Sequence, residues 1–317
     1  MARVSVGALE SLYGLHTVRN LCLLLLLAAP CGRPLSAQQV GGLESALRAR
    51  IAADTAAVAV AYYDPVTRDT LLINGHRRYH AASTMKLPVL IELARRVDAG
   101  ELTWAQAIPV RNSFRSLADG SRYSLDLSDD SDSTLYEQIG HDLAIERLAR
   151  LMIVRSSNLA TNVLLERLDP RSVNATAHAL GADSIAVLRG VEDGKAYALG
   201  LNNTTTARDL ALLLDAIARG RAASKAQTAR MLDFLFGQEF NDGIPAGLPP
   251  GVRVAHKTGW ITATSHDAAI IYPPGRGPYV LVILTKGYEE PQQASRLMAD
   301  LSGMVYRWAT RRPDPHE

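Results

Sequence analysis

Apolar runs typical of strands lie near both ends of the chain, and apolar positions follow the helical period between them. Turn-forming residues such as Asp64-Pro65 and Asn74-Gly75 separate the segments. The predicted strands cover residues 56–63, 68–74, 252–260, 265–272 and 279–286. The predicted helices cover residues 40–53, 85–97, 141–154, 160–168, 207–218 and 291–308. Two early and three late strands predict one antiparallel sheet whose sequence is interrupted by a helical block, an α+β fold.

This order predicts two domains. Residues 38–78 and 236–312 would form a sheet domain, residues 79–235 a helical domain, and residues 313–317 a short tail. Between residues 111 and 140 the chain is polar and rich in serine and aspartate, which predicts a long surface loop. Such loops often border active sites.

The N-terminus has the pattern of a secretory signal over residues 1–37. Basic residues and then an apolar run over residues 21–29 precede small residues ending at Ala37, after which we expect cleavage. The run is too short to span a bilayer, and no later segment of about 20 apolar residues follows, so no integral membrane segment is expected after cleavage. The protein would be exported, periplasmic or secreted. Pro30 disfavours lipoprotein anchoring through Cys31.

Composition excludes several classes of function for the mature chain. Both cysteines, Cys22 and Cys31, precede the cleavage point, so neither a disulfide nor a thiol nucleophile is expected. Removing three arginines and one glutamate from the 34 basic and 32 acidic residues leaves 31 of each, which argues against a nucleic-acid partner. No His-Glu-x-x-His run is present, and we expect a monomer without metal or cofactor.

Three short motifs could carry chemistry. Ser83 and Lys86 lie three positions apart at the head of an apolar helix, so both side chains share one face and a neutral lysine could take the serine proton. Ser156 and Asn158 lie where one helical segment ends and the next begins. Taken singly, Ser83 and Lys86 are better explained as a capping serine and a surface lysine, and Ser156 and Asn158 as capping at a helix boundary. The third motif, Lys-Thr-Gly at residues 257–259, lies within a strand and suits binding of an extended anionic substrate.

The order of these motifs, Ser-x-x-Lys, Ser-x-Asn and Lys-Thr-Gly, resembles class A β-lactamases and their relatives among DD-peptidases. The resemblance runs from about residue 43 to residue 287, with further similarity at residues 160–165, 204–207 and 266–286. It implies a β-lactamase/transpeptidase-like fold, with a five-stranded antiparallel sheet flanked by N- and C-terminal helices.

The resemblance also implies catalytic roles. Ser83 would be the acylated nucleophile and Lys86 its proton relay, while Ser156 and Lys257 would deliver a proton to the leaving nitrogen. The implied substrate-binding positions are Asn158, Thr258, Gly259, Trp260 and His266. The backbone N–H groups of Ser83 and Trp260 would hold the oxyanion. His266 stands where many β-lactamases present an arginine to the substrate carboxylate.

Two departures concern the machinery around the nucleophile. Ser157 replaces the usual acid of the second motif, which alters the support of that turn. Glu192, 36 positions after Ser156, is the candidate base for deacylation, but Ala196 replaces the asparagine expected four residues later. Alternatively, Glu192 is a solvated residue paired with Lys195 at helical spacing.

These features lead to three hypotheses of function. The first is a class A-like serine β-lactamase that hydrolyses its Ser83 acyl-enzyme. The second is a penicillin-inhibited DD-peptidase that acts on peptidoglycan peptides. The third is a peptidoglycan-binding module without catalysis. The first two differ in whether Glu192 activates water.

Overall fold

The computed structural model describes residues 35–311. The predicted signal therefore lies outside the described residues except for positions 35–37, which form the first turn of helix α1. The tail at residues 313–317 also lies outside them. Within residues 35–311, no helix combines the length and apolar character needed to cross a membrane.

The strands run as follows: β1 Ala57–Tyr63, β2 Thr70–Ile73, β3 Tyr79–His80, β4 Ala107–Pro109, β5 Phe114–Arg115, β6 Arg122–Tyr123, β7 Asp142–Ala144, β8 Thr204–Thr205, β9 Arg253–Ile261, β10 Thr264–Tyr272 and β11 Tyr279–Lys286. Five of them form the main antiparallel sheet in the order β2-β1-β11-β10-β9. The predicted five-stranded sheet is confirmed. Strand β9, which carries the Lys-Thr-Gly motif, lies at its edge.

The helices run as follows: α1 Leu35–Ala52, α2 Lys86–Asp98, α3 Ile145–Val154, α4 Asn158–Leu168, α5 Pro170–Ala179, α6 Gly194–Ala198, α7 Ala207–Ala218, α8 Lys225–Phe236 and α9 Pro291–Thr310. A 3-10 turn over Ala82–Met85 precedes α2. The helix predicted from residue 141 begins at Ile145, because residues 142–144 pair with β4 as strand β7 instead.

The sheet separates two apolar cores. On one face Val58, Val60 and Tyr62 of β1 share a cluster with Leu43 of α1 and Leu301 of α9. The alternate residues of the same strand point to the other face, where they join the larger cluster formed with α2, α3, α4 and α7. This alternation explains why the strands read as continuous apolar runs: both faces are covered.

The segment predicted as a surface loop has more structure than expected. Residues 114–123 form the β5–β6 hairpin, and Leu125 and Leu135 are buried in the larger core. Two short 3-10 turns, Leu127–Asp129 and Thr134–Gln138, complete it. The segment is therefore anchored against the helical block, beside the turn that joins α3 to α4.

Candidate active site

The Ser83 turn is held in an unusual backbone conformation. Ala82 has a φ of 45°, and its N–H donates to His80 Nδ1 at 3.0 Å. Thr84 Oγ1 donates to Ala81 O at 2.5 Å, and the Lys86 N–H donates to Ser83 O. The half-buried Ser83 thus faces a cleft, while Lys86 is directed into the interior.

Two fully buried lysines converge on Ser156. Lys86 Nζ lies 3.2 Å from Ser156 Oγ, 2.5 Å from Ser156 O and 2.9 Å from Asn158 Oδ1. Lys257 Nζ donates to Ser156 Oγ at 3.0 Å and to Thr258 O at 2.8 Å. A hydroxyl oxygen has two acceptor sites, so Ser156 Oγ can accept a hydrogen bond from each lysine while its own proton stays free to be transferred. Ser156 can therefore pass its proton on and receive another from a lysine.

Burial makes both lysines good proton acceptors. It lowers the pKa of Lys86 to about 7, although the negative charges of Asp130 and Glu192 act in the opposite direction. Burial, and then the charge of Lys86, lower the pKa of Lys257 well below its usual value. A lysine with a pKa near neutrality is matched to general-base catalysis at physiological pH.

The turn between α3 and α4 presents Ser156 and Asn158 to the cleft. Ser156 has a φ of 58°, a conformation that costs a residue with a side chain on the order of 1 kcal/mol or more. Ser157 caps α4, since its Oγ accepts the Ala160 N–H at 3.2 Å. Asn158 is bonded to Lys86 on one side and donates from Nδ2 to Asp129 O at 3.2 Å on the other.

Strand β9 packs directly against the Ser83 turn. A Cβ on Gly259 would lie only 2.8 Å from the backbone nitrogens of Ser83 and Thr84, so this position requires glycine. Thr258 Oγ1 is buried without a protein partner. Trp260 is 44% exposed at the cleft rim, with its ring centroid 4.8 Å from that of Phe240. A substrate lying along this edge would meet Trp260, whereas Thr258, expected from the sequence to bind substrate, is buried and does not line the cleft.

Glu192 lies in the cleft wall and forms no ion pair with Lys195, whose Nζ bonds Asp119 Oδ2 at 2.8 Å instead. Glu192 has a φ of 59°, and its Oε1 lies 3.4 Å from Asn158 Nδ2. Burial and then the charge of Asp129 raise the pKa of Glu192, which favours a role in proton transfer. The geometry therefore disfavours the Glu192–Lys195 pair considered from the sequence.

Ala196 offers no side chain to hold a water beside Glu192. It is fully buried in the short helix α6, and its backbone N–H donates to Asp193 Oδ1 at 3.1 Å. Asp193 itself is buried and also accepts from Ser116 Oγ at 2.7 Å. Any water activated by Glu192 would have to be held by other groups of the cleft.

His266 lies outside the cleft, which corrects the expectation that it meets the substrate. It is fully buried opposite Gly259, and its ring packs edge-on against Tyr79 with centroids 5.9 Å apart. Its Nε2 lies 2.8 Å from His80 O, and its Nδ1 lies 2.8 Å from Ser265 O. Burial lowers its pKa to about 4, so the ring is uncharged near neutral pH. With both nitrogens engaged, it cannot replace an arginine facing a carboxylate.

The cleft has a volume of about 670 Å³. Of the residues predicted from the sequence, its lining includes Ser83, Ser156, Asn158, Glu192 and Trp260. The lining residues that sequence reasoning missed include His80, Asp129, Asp130, Arg189 and Tyr197. Within the described part of the chain, no cluster of His, Cys, Asp or Glu side chains is arranged to hold a metal ion.

Comparison with known proteins identifies the family and the fold. The model of the β-lactamase enzyme family matches residues 42–309. A β-lactamase from Streptomyces lavendulae is 25% identical over 271 residues, which cover 81% of this chain and 81% of that protein.

Two solved structures are similar over most of their length. A mutant of PBP-A, solved as an acyl-enzyme complex with penicillin G, has a TM-score of 0.74 and 28% identity, covering 90% of this chain and 100% of that chain. An ancestral class A β-lactamase has a TM-score of 0.73 and 25% identity, covering 84% of this chain and 99% of that one. The fold is that of class A β-lactamases and penicillin-binding proteins. The resemblance inferred from the three motifs is confirmed, and this chain belongs to the β-lactamase enzyme family.

Proposed function

We propose that this protein is a class A-like serine β-lactamase that opens the β-lactam amide through an acyl-enzyme on Ser83. The observation that carries the proposal is the contact of two buried lysines, Lys86 and Lys257, with Ser156 Oγ beside the nucleophile. Burying two lysines is costly, so it needs a reason beyond stability. Proton transfer at Ser83 supplies that reason. Export of the protein, inferred from residues 1–37, is part of the proposal.

Acylation requires one proton to travel from the nucleophile to the leaving nitrogen. Ser83 Oγ attacks the carbonyl carbon as its proton passes to neutral Lys86, and the oxyanion is held by backbone N–H groups of Ser83 and Trp260. When the C–N bond breaks, Ser156 gives its proton to the nitrogen and regains from Lys86 Nζ, 3.2 Å away, the proton that Lys86 took from Ser83. The products are a Ser83 ester and a ring-opened amine. Lys86 is neutral again.

Deacylation requires a base on the cleft side of the ester. Glu192 meets the main conditions, because it lines the cleft, lies near Asn158 and has a raised pKa. It would take a proton from water as the water attacks the ester carbonyl, and that proton would pass to Ser83 Oγ as the C–O bond breaks and the ring-opened acid is released.

A penicillin-binding DD-peptidase acting on peptidoglycan peptides is the second candidate, and Ala196 favours it. Without a side-chain amide at this position, Glu192 holds its water with one fewer partner, which would slow deacylation. The similarity to PBP-A, whose mutant was solved as a penicillin G acyl-enzyme, is compatible with this alternative. Both candidates form an acyl-enzyme on Ser83 and differ in its lifetime.

Intact-protein mass spectrometry after mixing with penicillin G separates the candidates. For the β-lactamase we expect an adduct that disappears within seconds, and that persists at least about 100-fold longer in Glu192→Gln. An adduct that lasts for hours in the wild type would instead support the DD-peptidase. A chain that never forms an adduct, although folded, would leave only a binding module.

A further inference from the structure

We propose that Asp130, from the segment between α2 and α3, is the positioning residue that holds the Ser156–Asn158 turn in its reactive geometry. The inference rests on the proposed acylation chemistry, for which it names a further component. Asp130 belongs to none of the three sequence motifs and lies 28 positions before Asn158.

The Asp130 carboxylate binds the start of α4 with both oxygens. Its Oδ1 accepts the Asn158 N–H at 2.9 Å, and its Oδ2 accepts the Leu159 N–H at 2.8 Å. Tyr136 OH and Ser157 Oγ lie 3.3 Å and 3.5 Å from Oδ2. Two charge-assisted bonds to unpaired helix N–H groups make a strong and directional contact.

The residues around Asp130 fasten the other side of the same turn. Ser131 Oγ donates to Arg155 O at 2.7 Å, and the buried Asp132 accepts from Arg155 Nη1 at 3.0 Å. Ser156, between these two anchored sides, has its left-handed φ of 58°. Such a conformation persists only where its surroundings enforce it, so the segment of residues 129–132 is the clamp that enforces it.

The clamp acts on the reacting groups through one residue. Asn158 is bonded to Asp130 by its backbone N–H and to Lys86 Nζ by its side-chain oxygen, at 2.9 Å in each case. Releasing the N–H would let the Asn158 oxygen and Ser156 Oγ move relative to Lys86. A displacement near 1 Å in such a constellation costs on the order of 100-fold in rate.

Asp130 also contributes charge. The charged groups that act on Lys86 are Asp130 and Glu192, which raise its pKa, and Lys257, whose own pKa is lowered by Lys86. Removing the Asp130 charge would therefore lower the pKa of Lys86. The pH at which acylation begins to fail would move down with it, a change that loss of mechanical support alone would not produce.

The serine at position 157 explains why the carboxylate that binds the start of α4, that of Asp130, lies outside the second motif. The second motif has a serine where the family usually carries an acid, and the Ser157 hydroxyl caps only one N–H, that of Ala160. The two preceding N–H groups of α4 are satisfied by Asp130 instead. In this chain the negative charge has moved from the turn itself to the facing segment.

The test compares Asp130→Asn with Asp126→Asn, a matched control in the same segment, whose exposed carboxylate bonds Ser128 alone among residues 35–311. We expect acylation by penicillin G to slow about 10- to 100-fold in Asp130→Asn and less than twofold in the control. We also expect the acid limb of the acylation profile to move to lower pH. Acylation within twofold of wild type, or a slowed reaction with an unmoved limb, would overturn the proposal.

Two further measurements keep the test decisive if the variant is poorly folded or the wild type is inert. Amide hydrogen exchange of Asn158 and Leu159 should accelerate in Asp130→Asn and not in the control, whether or not Ser83 reacts. The exchanged pair Asp130→Ser with Ser157→Asp should recover most of the lost acylation rate. Unchanged exchange at both amides would contradict the role of Asp130 but not the proposed function. Absence of any wild-type adduct would contradict the proposed function.

Discussion

Replacing Gly259 by alanine tests whether the close approach of β9 to the Ser83 turn is required for catalysis. The new Cβ would lie 2.8 Å from the Ser83 and Thr84 nitrogens and 3.3 Å from Ala82 Cβ. Ordinary contact begins near 3.4 Å, so strand and turn must separate by about 0.6 Å. Both partners are backbone, and the turn is already fixed by its bonds to His80 and Ala81. Neither can give way by changing a rotamer.

The separation should reduce both stability and rate. Overpacking of this kind typically lowers the free energy of unfolding by about 1–3 kcal/mol. The backbone N–H groups of Ser83 and Trp260, the proposed oxyanion donors, would move apart, and we expect acylation to slow by about 100-fold. Urea unfolding measures the first effect, and stopped-flow acylation with a fluorescent penicillin measures the second.

Gly42→Ala is the matched control for Gly259→Ala. Gly42 lies on α1, exposed and with open space around its Cβ position, so alanine there should leave the acylation rate unchanged. It should also be neutral or slightly stabilising, since alanine is the better helix former. Wild-type acylation together with wild-type stability in Gly259→Ala would refute the reasoning.

Three further predictions concern protons. Because the pKa of Lys86 is about 7, the acylation rate should fall about tenfold per pH unit below neutrality, to about 1% of its plateau at pH 5. A stopped-flow rate profile that is flat down to pH 5 would exclude Lys86 as the base. Because Asp129 raises the pKa of Glu192, Asp129→Asn should move the acid limb of deacylation to lower pH; an unmoved limb would contradict Glu192 as its base. The folded state holds His266 neutral with a pKa of about 4, so stability should decrease as the pH falls from 6.5 towards 4, by about 3 kcal/mol from this residue. His80 acts in the same direction, so urea unfolding of His266→Gln should show a smaller pH dependence, not a flat one.

The features that could be predicted from sequence are those set by local geometry. Helical spacing predicted Ser83 and Lys86 at the head of a helix, and the structure has Lys86 as the first residue of α2 and Ser83 in the 3-10 turn before it. The five strands followed from their apolar runs and turn residues, because each signal lies within the strand itself.

The features that could not be predicted depend on contacts between distant segments. In the sequence Asp130 is one of several acidic residues in a polar segment, and no local feature distinguishes it from Asp126. Its role follows from the contact with the start of α4. His266 lies on a predicted strand, but its burial depends on β3 packing over β10. The position of Glu192 depends on a left-handed backbone conformation, which a glutamate in the sequence does not predict.

The most direct test of the account is to locate the covalent adduct. Rapid acid quenching of a penicillin G reaction, followed by tryptic digestion, should place the full mass of the drug on the peptide of residues 79–86, which contains Ser83 as its proposed nucleophile. The folded Ser83→Ala variant should carry no adduct under the same conditions. An adduct on another peptide, or labelling of Ser83→Ala at the wild-type rate, would contradict the assignment of Ser83.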